Sequence, residues 1–364
     1  MKKTRLYDKH IELGARITNY AGWQMPVQYP TGPIKEHHNV RKKAGLFDID
    51  HMGQLEVKGP DALRYLQKIT TWDISKMTMN EAHYSLVCYH DGGIVDDVFV
   101  YRLPGRYFVA VNAANKDKDY KWFSHHTHGF EVEVKDISDE TYMLALQGPK
   151  AEEILQNLTE TDLAKVPFHS SFEGEVAGVP ALVGRTGYTG EDGFELFFPA
   201  EEAPFLWDKI LEVGKPLGLL PIGLAARDSL RFEPCMPLYG QEIGPDINPI
   251  EARLGWAVSF GKGDFIGRDA LLKVKLEGPK RKLVGFEMID RGVPRHGYKV
   301  AMNGKIIGEV TTGMFSPSTN RYLGLAYVPI EHATLDSEIE IVIRGKARRA
   351  KIVKRPFYRP AYRK

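Results

Sequence analysis

The stretch GGIVDDV at residues 92–98 and the stretch RTGYTGEDGFE at residues 185–195 carry the most information in this chain. The first predicts a tight glycine turn that leads into a short apolar strand with two acids, Asp96 and Asp97. The second has a glycine at every third position and then enters another strand at Glu195. Glycines allow a backbone to approach a ligand closely, and acids on the adjoining strands can face that ligand. Each pattern alone is weak evidence, but the two in this order indicate one binding site.

Successive side chains of a strand point to opposite faces, so Asp96 and Asp97 cannot both face one ligand. We expect one of them in a pocket and the other solvated or capping. An aspartate on an apolar strand is a candidate for a raised pKa, or for neutralising a positive charge that develops during a reaction. The local sequence leaves an alternative open, in which both are surface acids after a hairpin.

The glycine run at 184–193 is not a phosphate-binding loop, because it has neither the GxxxxGK[ST] pattern nor the GxGxxG order. A turn-rich loop that packs beside a flat ligand fits better. Glu195 can accept paired hydrogen bonds from an amidine-like edge such as that of an aminopyrimidinone.

A second polar pair lies in the helix predicted over about 223–233, where Arg227 and Arg231 are one turn apart on the same face. A buried arginine needs a carboxylate, either from the protein or from a ligand. Arg227 follows two alanines, so the backbone there can pack closely while the guanidinium reaches across. A purely structural pair with a neighbouring acid is the alternative.

Length and composition limit the class of protein. The 364 residues exceed one ordinary core, and 43% hydrophobic with 26% charged residues is typical of soluble globular proteins. No apolar run could span a bilayer and the N-terminus lacks a signal-peptide core, so we expect a cytoplasmic location. Cys88 and Cys235 are interpreted as buried thiols in a reducing compartment. The histidines at 125–128 lack the spacing of metal ligands, so we expect no metal site.

The order of predicted elements favours an α+β fold. Strands and helices alternate in pairs up to about residue 275, which argues against a doubly wound parallel sheet. From about residue 280 short strands follow one another, and Asn303-Gly304 is a two-residue hairpin signal. That spacing predicts a small β-barrel after a domain boundary at about 275–280.

The end of the chain is strongly basic, since residues 344–364 hold ten Lys or Arg and no Asp or Glu. Three aromatic residues, Phe357, Tyr358 and Tyr362, are interleaved with these charges, which suggests packing rather than a frayed tail. This charge would suit an anionic ligand tail, an acidic protein partner or nucleic acid.

Motifs along essentially the whole chain resemble the glycine cleavage T-protein (aminomethyltransferase) family. They include GGIVDDVFVYR, LQGPKA, RTGYTGEDGFE, GLAARDSLRFE, PLYGQEI, IGEVTTGMFSPS and KRPFYRP, at matching spacing. The resemblance implies an α+β fold of three domains in a cloverleaf, with two α+β domains and a C-terminal β-barrel around a central folate-binding hole. It places two interleaved α+β subdomains in residues 1–275 and the barrel in residues 280–364.

The resemblance also implies an activity. The family transfers an aminomethyl-derived one-carbon unit from the dihydrolipoyl arm of the carrier H-protein to tetrahydrofolate, which releases ammonia and gives 5,10-methylenetetrahydrofolate. Tetrahydrofolate would be the co-substrate and H-protein the partner, with no metal, nucleic acid or membrane. The basic end, above all Arg348, Arg349, Lys351 and Arg355, would serve the polyglutamate tail of folate or the acidic carrier.

Matching the family motifs residue by residue assigns roles to positions of this chain. Asp97 is the expected catalytic carboxylate, Glu195 the expected pterin-binding glutamate, and Arg227 the expected substrate-binding arginine. The remaining expected folate-binding residues are Asn112, Tyr84 and Tyr188, with Tyr362 as a weaker match.

Two positions depart from the family pattern. Asp50 stands where serine is usual, and Pro234-Cys235-Met236 follows Glu233 where Ala-Gly is usual. We expect neither departure to touch the three assigned polar residues. They leave two alternatives open, a tetrahydrofolate-dependent demethylase of a small methylated donor and a non-catalytic folate-binding assembly factor.

Overall fold

A computed structural model describes residues 1–359 of the chain. Tyr362 therefore lies outside the described residues. Within residues 1–359, none of the helices is long and apolar enough to cross a membrane. The helices are α1 (Tyr7–Glu12), α2 (Pro33–Lys42), α3 (Ala62–Ile69), α4 (Lys116–His125), α5 (Ala151–Gln156), α6 (Ala203–Gly214), α7 (Leu224–Phe232) and α8 (Arg268–Glu277).

The strands divide between the first three quarters of the chain and its end. The earlier strands are β1 (Lys2–Lys3), β2 (Arg16–Tyr20), β3 (Trp23–Gln28), β4 (Ala44–Asp48), β5 (Gly53–Lys58), β6 (Ala82–Cys88), β7 (Ile94–Leu103), β8 (Arg106–Val111), β9 (Glu133–Asp136), β10 (Thr141–Gln147), β11 (Ser171–Val176), β12 (Val179–Gly184), β13 (Gly193–Pro199) and β14 (Leu219–Pro221). The later strands are β15 (Arg281–Met288), β16 (Lys299–Met302), β17 (Lys305–Ser316), β18 (Arg321–Pro329), β19 (Glu338–Ile343) and β20 (Lys346–Val353).

Two main sheets and one closed barrel organise these strands. One sheet has the order β11-β12-β13-β10-β4-β14, the other has the order β6-β7-β8-β5-β9, and β1-β3-β2 form a small third sheet. Because β5 to β9 lie between β4 and β10 in the chain, the two main sheets are interleaved in sequence. The last six strands close into a barrel in the order β15-β18-β17-β16-β19-β20. The predicted α+β fold with a C-terminal β-barrel is confirmed.

The β16–β17 hairpin shows why the local sequence was informative. Its two turn residues, Asn303 and Gly304, have φ angles of 51° and 76°. A two-residue hairpin turn of this kind needs positive φ at both positions, which asparagine and glycine tolerate best.

The two main sheets pack against each other through aromatic side chains. Phe108 of β8 and Phe197 of β13 have ring centroids 4.6 Å apart, and Tyr101 of β7 lies 5.6 Å from each of them. Helices α5 and α6 pack on one sheet, whereas α3 and α4 pack on the other. Each buried aromatic ring of this size contributes about 1.5–3 kcal/mol. The aromatic contact therefore holds β7 close to β13.

A loop that follows α7 is tied directly to the start of β7. Ile94 donates its backbone N–H to the carbonyl oxygens of Gly244 and Ile247, at 3.2 Å and 3.1 Å. A Cβ atom at Gly93 would lie 1.9 Å from the Pro245 carbonyl oxygen, so this close approach requires glycine. The glycine pair before β7 thus positions a distant segment beside the strand that carries the two aspartates.

Candidate active site

A cavity of about 480 Å³ is lined by both main sheets, by α7 with the loop that follows it, and by the C-terminal segment. The structure brings together all six described residues that the sequence assigned to the site. They are Tyr84, Asp97, Asn112, Tyr188, Glu195 and Arg227.

Asp97 lies on β7 and lines the cavity. Its Oδ1 atom accepts a hydrogen bond of 2.6 Å from Asn112 Nδ2. Burial, and then the neighbouring charge of Asp96, raise the pKa of Asp97 to about 7, whereas the hydrogen bond from Asn112 opposes that rise. With this pKa the carboxyl group can both accept and release a proton at neutral pH.

Asp96 does not line the cavity, but it is not solvated either. Its side chain is fully buried. It accepts hydrogen bonds from Asn112 N at 3.1 Å, from Asn112 Nδ2 at 2.9 Å and from Asn115 Nδ2 at 2.6 Å. The alternative of two surface acids is therefore wrong. Asp96 caps the turn that precedes α4.

Glu195 enters the cavity from β13, where its backbone pairs with Ala145 and Gly184. Its Oε2 atom accepts hydrogen bonds from Thr186 Oγ1 at 2.5 Å and from Tyr101 OH at 3.3 Å. Burial raises the pKa of Glu195, and the Thr186 hydrogen bond and the charge of Arg227 oppose this. A carboxylate has about four acceptor sites. No further hydrogen bond to this side chain exists within residues 1–359, so Oε1 is left for a ligand.

The two arginines of α7 differ in their partners. Arg231 is buried, and it donates from Nη1 to Glu242 Oε2 at 2.7 Å and from Nε to Asp228 Oδ1 at 2.8 Å. The structural alternative is therefore confirmed for Arg231. The guanidinium of Arg227 lies 4.6 Å from the ring centroid of Tyr188 and lines the cavity. No carboxylate of the described chain forms an ion pair with Arg227, so its charge is available to a ligand.

Tyr84 and Trp256 form an aromatic wall of the cavity. Their ring centroids are 5.3 Å apart in a stacked arrangement, and Trp256 is 59% exposed. The Tyr84 hydroxyl is buried beside the Asp97 carboxyl group. Burial, and then the charge of Asp97 and a hydrogen-bonding contact with it, raise the pKa of Tyr84. The sequence analysis missed Trp256, because nothing local shows that its loop returns to the site.

The segment Pro234-Cys235-Met236 lines the same cavity as the three assigned polar residues. Cys235 has a φ of 61°, in the left-handed region. Burial raises the pKa of the Cys235 thiol to about 11, so it is not a thiolate nucleophile at neutral pH. Asp50, the other departure, is absent from the cavity lining as expected.

Two further arginines line the cavity. Arg253 was not singled out in the sequence, whereas Arg355 belongs to the basic end that was expected to serve the polyglutamate tail or the carrier. Arg355 donates from Nη1 to the Leu283 carbonyl oxygen at 3.2 Å, while its buried Nε has no hydrogen-bond partner among the described residues. Burial, and then the charge of Arg355, lower the pKa of Arg253. Neither arginine forms an ion pair within residues 1–359. Two neighbouring cations without a counter-ion favour an anionic ligand group.

The other basic residues of the C-terminal end are placed differently. Arg349 pairs with Asp290 at 3.2 Å and Lys351 pairs with Asp336 at 2.9 Å, both on the barrel. Neither lines the cavity, and the same is true of Arg348. Only Arg355, of the four basic residues singled out in the sequence, reaches the candidate site.

These features together are typical of an enzyme active site. A partly open cavity with mainly apolar walls holds a carboxyl group with a strongly raised pKa, a second carboxylate with a free oxygen, and arginines without ion-pair partners. The described residues contain no group of three or more His, Cys, Asp or Glu that is arranged to hold a metal ion. The molecule is thus defined as an α+β enzyme whose active site lies between two sheets and the segment that follows the C-terminal barrel.

Comparisons with known proteins identify the family. Residues 6–262 match the GCVT N-terminal domain, and residues 281–359 match the glycine cleavage T-protein C-terminal barrel domain. The chain is 51% identical to an aminomethyltransferase of Caldanaerobacter subterraneus subsp. tengcongensis, covering 100% of this chain and 98% of that relative. It is 52% identical to an aminomethyltransferase of Symbiobacterium thermophilum, covering 100% and 99%.

A solved structure gives the same result. The crystal structure of the glycine cleavage system aminomethyltransferase T from Bartonella henselae superposes with a TM-score of 0.93 at 36% identity, covering 99% of this chain and 98% of that one. The chain belongs to the glycine cleavage T-protein family, and it is an aminomethyltransferase.

Proposed function

We propose that this aminomethyltransferase takes the one-carbon unit from the aminomethyl-dihydrolipoyl arm of a carrier H-protein and transfers it to tetrahydrofolate. Ammonia and 5,10-methylenetetrahydrofolate are the products. The family membership supports the reaction class. The single observation that carries the proposal is Asp97, a carboxyl group in the wall of the cavity with a pKa of about 7.

The residues of the cavity fit tetrahydrofolate. Its pterin ring carries an aminopyrimidinone edge, which presents adjacent N–H donors to an acceptor such as Glu195. Tyr84, whose hydroxyl lies beside Asp97, forms the polar wall together with Asn112 and Tyr188. Arg227 holds an anionic or carbonyl group of the substrate. Tyr362 belongs to the proposed site as well, although it lies outside the described residues.

Asp97 is the proposed catalytic carboxylate. Loss of ammonia from the aminomethyl group leaves positive charge on the reacting carbon. Attack by a folate nitrogen moves that charge onto the nitrogen, and a nearby carboxylate stabilises it. A pKa near 7 also lets the same group take up and release a proton as the nitrogens change state. Both roles need Asp97 beside the reacting atoms, which its place in the cavity wall permits.

The unpaired arginines support a subsidiary part of the proposal. Arg253 and Arg355 lie at the cavity without carboxylate partners among the described residues. The glutamate or polyglutamate tail of folate carries several carboxylates, which guanidinium groups bind in a bidentate manner. Of the basic residues at the C-terminal end, we therefore propose that Arg355 contacts the folate tail, and that Arg253 contacts it as well.

The division of the chain is proposed on similar grounds. We propose a folate-binding region over residues 1–275, made of two interleaved α+β subdomains, and a barrel domain over residues 280–364. The two family matches and the closed barrel of β15 to β20 support this division.

The direct experiment measures methylenetetrahydrofolate and ammonia released from aminomethyl-loaded H-protein and tetrahydrofolate, with the Asp97→Asn variant as control. Turnover by the wild type that the variant lacks would support the proposal. Turnover of a small methylated amine without H-protein would instead identify a demethylase. Tight folate binding with no turnover of either donor would identify a non-catalytic binder.

A further inference from the structure

Behind the catalytic strand lies a buried carboxyl group that the proposed reaction does not use. Asp119, on α4, is only 1% exposed. Both of its carboxyl oxygens are buried, and neither accepts a hydrogen bond from any described residue. An ionised carboxylate without donors would be very unfavourable there. A protonated carboxylic acid is favourable if its O–H finds an acceptor.

Asp96 is the acceptor beside it. Three N–H donors occupy three of the roughly four acceptor sites of the Asp96 carboxylate, two from Asn112 and one from Asn115. Asp119 is the neighbour in hydrogen-bonding range of the same carboxylate. An O–H from Asp119 would complete the set of donors around Asp96.

Asn112 connects this buried group to the cavity. Its Nδ2 atom donates to Asp96 Oδ1 at 2.9 Å and to Asp97 Oδ1 at 2.6 Å. One amide group therefore bridges the two carboxylates. The orientation of that amide depends on how firmly Asp96 is held.

We propose that Asp119 is a protonated positioning residue, which donates its O–H to Asp96 and thereby fixes the Asp96–Asn112–Asp97 chain of hydrogen bonds. This inference rests on the proposed role of Asp97. Asp119 touches neither substrate in this arrangement, so it acts only through the orientation of Asn112 and Asp97.

The other groups around Asp119 agree with a neutral acid. Burial, and then the charge of Asp96, raise the pKa of Asp119 to about 11. Lys118 is the nearest cation, but its Nζ donates to the Val95 carbonyl oxygen and to Tyr239 OH rather than to Asp119. The phenols of Tyr89 and Tyr239 are uncharged at neutral pH, because burial raises the pKa of each.

The first test reads the protonation state directly. In protein labelled with ¹³C at the aspartate carboxyl carbon, the Asp119 resonance is assigned as the one missing from Asp119→Asn. We expect it to keep the shift of a protonated acid from pH 5 to pH 9. A resonance that has the shift of an ionised carboxylate at pH 7 would overturn the proposal. Because this readout needs no turnover, it stands even if the proposed reaction is wrong.

The second test separates positioning from folding. Asp119→Asn keeps a neutral N–H donor, so its kcat should stay within about twofold of the wild type. Asp119→Ala removes the donor, so kcat should fall about tenfold while the Kd for tetrahydrofolate stays unchanged. Asp117→Ala, an exposed aspartate on the same helix, is the matched control and should leave kcat unchanged.

The outcomes of the second test are distinct. Loss of kcat in Asp119→Asn equal to that in Asp119→Ala would mean that an ionised acid is needed, which contradicts the proposal. An unchanged kcat in a folded Asp119→Ala variant would contradict it as well. No turnover by the wild type would instead sink the proposed reaction, and the carboxyl titration would then decide the state of Asp119.

Discussion

Glu233 is fully buried and Asp97 is half-buried in the cavity wall, and the surroundings of these two carboxyl groups are opposite. Glu233 accepts hydrogen bonds from Arg41 Nη2 at 2.8 Å, Ser316 Oγ at 2.6 Å and Ser318 N at 2.9 Å. Burial alone would raise its pKa, but His37, Arg41 and Ser316 outweigh burial and lower the pKa of Glu233 to about 2. At Asp97 burial and a second carboxylate act together and raise the pKa to about 7.

The difference distinguishes a carboxylate that holds the fold together from one that is suited to catalysis. Glu233 joins α2, the end of α7 and the barrel, and it is stabilised as an anion. Asp97 is held in a site that penalises its anion, so its charge becomes useful only when positive charge develops beside it. A carboxyl group thus stabilises the fold at Glu233, whereas at Asp97 its ionised form is destabilised, which suits a function.

The largest expected effect is on turnover. Asp97→Asn should lower kcat at least about 100-fold, because the amide cannot supply a negative charge or take up a proton. The Kd for tetrahydrofolate should change by less than about threefold, as measured by fluorescence titration. Loss of binding instead would make Asp97 an anchor rather than a catalyst, and the comparison with Glu233 would fail.

The next effect is on stability. Glu233→Gln should reduce the free energy of unfolding by about 3–5 kcal/mol, because it breaks a buried ion pair and leaves Arg41 with less compensation. Urea unfolding at pH 7 measures this. The lowered pKa of Glu233 contributes stability that is fully present above about pH 4.5 and is lost as pH falls towards about 2. The difference in unfolding free energy between the wild type and Glu233→Gln should therefore narrow over that pH range.

An exposed pair supplies the control for that measurement. Glu309→Gln, which removes the partner of Lys299 on the barrel surface, should cost less than about 1 kcal/mol. A Glu233→Gln variant no less stable than this control would show that the buried cluster does not hold the parts together.

A smaller effect of opposite sign is expected for the stability of Asp97→Asn. The pKa of Asp97 is raised from 3.8 in the unfolded chain to about 7 in the folded protein. The contribution of this shift to the free energy of unfolding is therefore fully present below pH 3.8 and is lost as pH rises through about 7. At pH 8 the variant should therefore be more stable than the wild type, by about 4 kcal/mol. The difference should vanish near pH 4. Equal stability at pH 8 would mean that Asp97 is not held in a destabilised state.

The smallest expected effect concerns the unpaired arginines. Arg355→Met should raise the KM for polyglutamylated tetrahydrofolate about three- to tenfold and flatten its salt dependence, because one guanidinium contact to a carboxylate is lost. Arg349→Met removes a barrel arginine that pairs with Asp290, and it should leave KM unchanged. Equal kinetics for the two variants across a salt series would contradict an anion subsite at Arg355.

Much of the fold and site could be predicted from local patterns. Strand alternation separated Asp96 from Asp97, the Asn303-Gly304 turn located a barrel hairpin, and the family motifs named six residues that the structure brings together. What they could not predict depends on contacts between distant segments. Trp256 and Arg253 reach the cavity on a loop that is bound to β7 by backbone hydrogen bonds. Backbone hydrogen bonds do not depend on which side chains are present, so the sequence does not reveal them.

The sequence also could not predict which acidic side chains are buried. Asp119 lies in a polar helix among charged neighbours, where periodicity favours a solvated face, yet tertiary packing covers it. The sequence also could not show that Pro234-Cys235-Met236 lines the cavity, because Cys235 packs against barrel side chains that are distant in the sequence.

The most direct test of this account measures the free energy of unfolding at pH 8 for Asp97→Asn and Glu233→Gln, with aminomethyl transfer assayed on the same preparations. The account predicts that Asp97→Asn is more stable than the wild type but almost inactive, and that Glu233→Gln is less stable but active where folded. Destabilisation by both substitutions, or substantial turnover by Asp97→Asn, would contradict it.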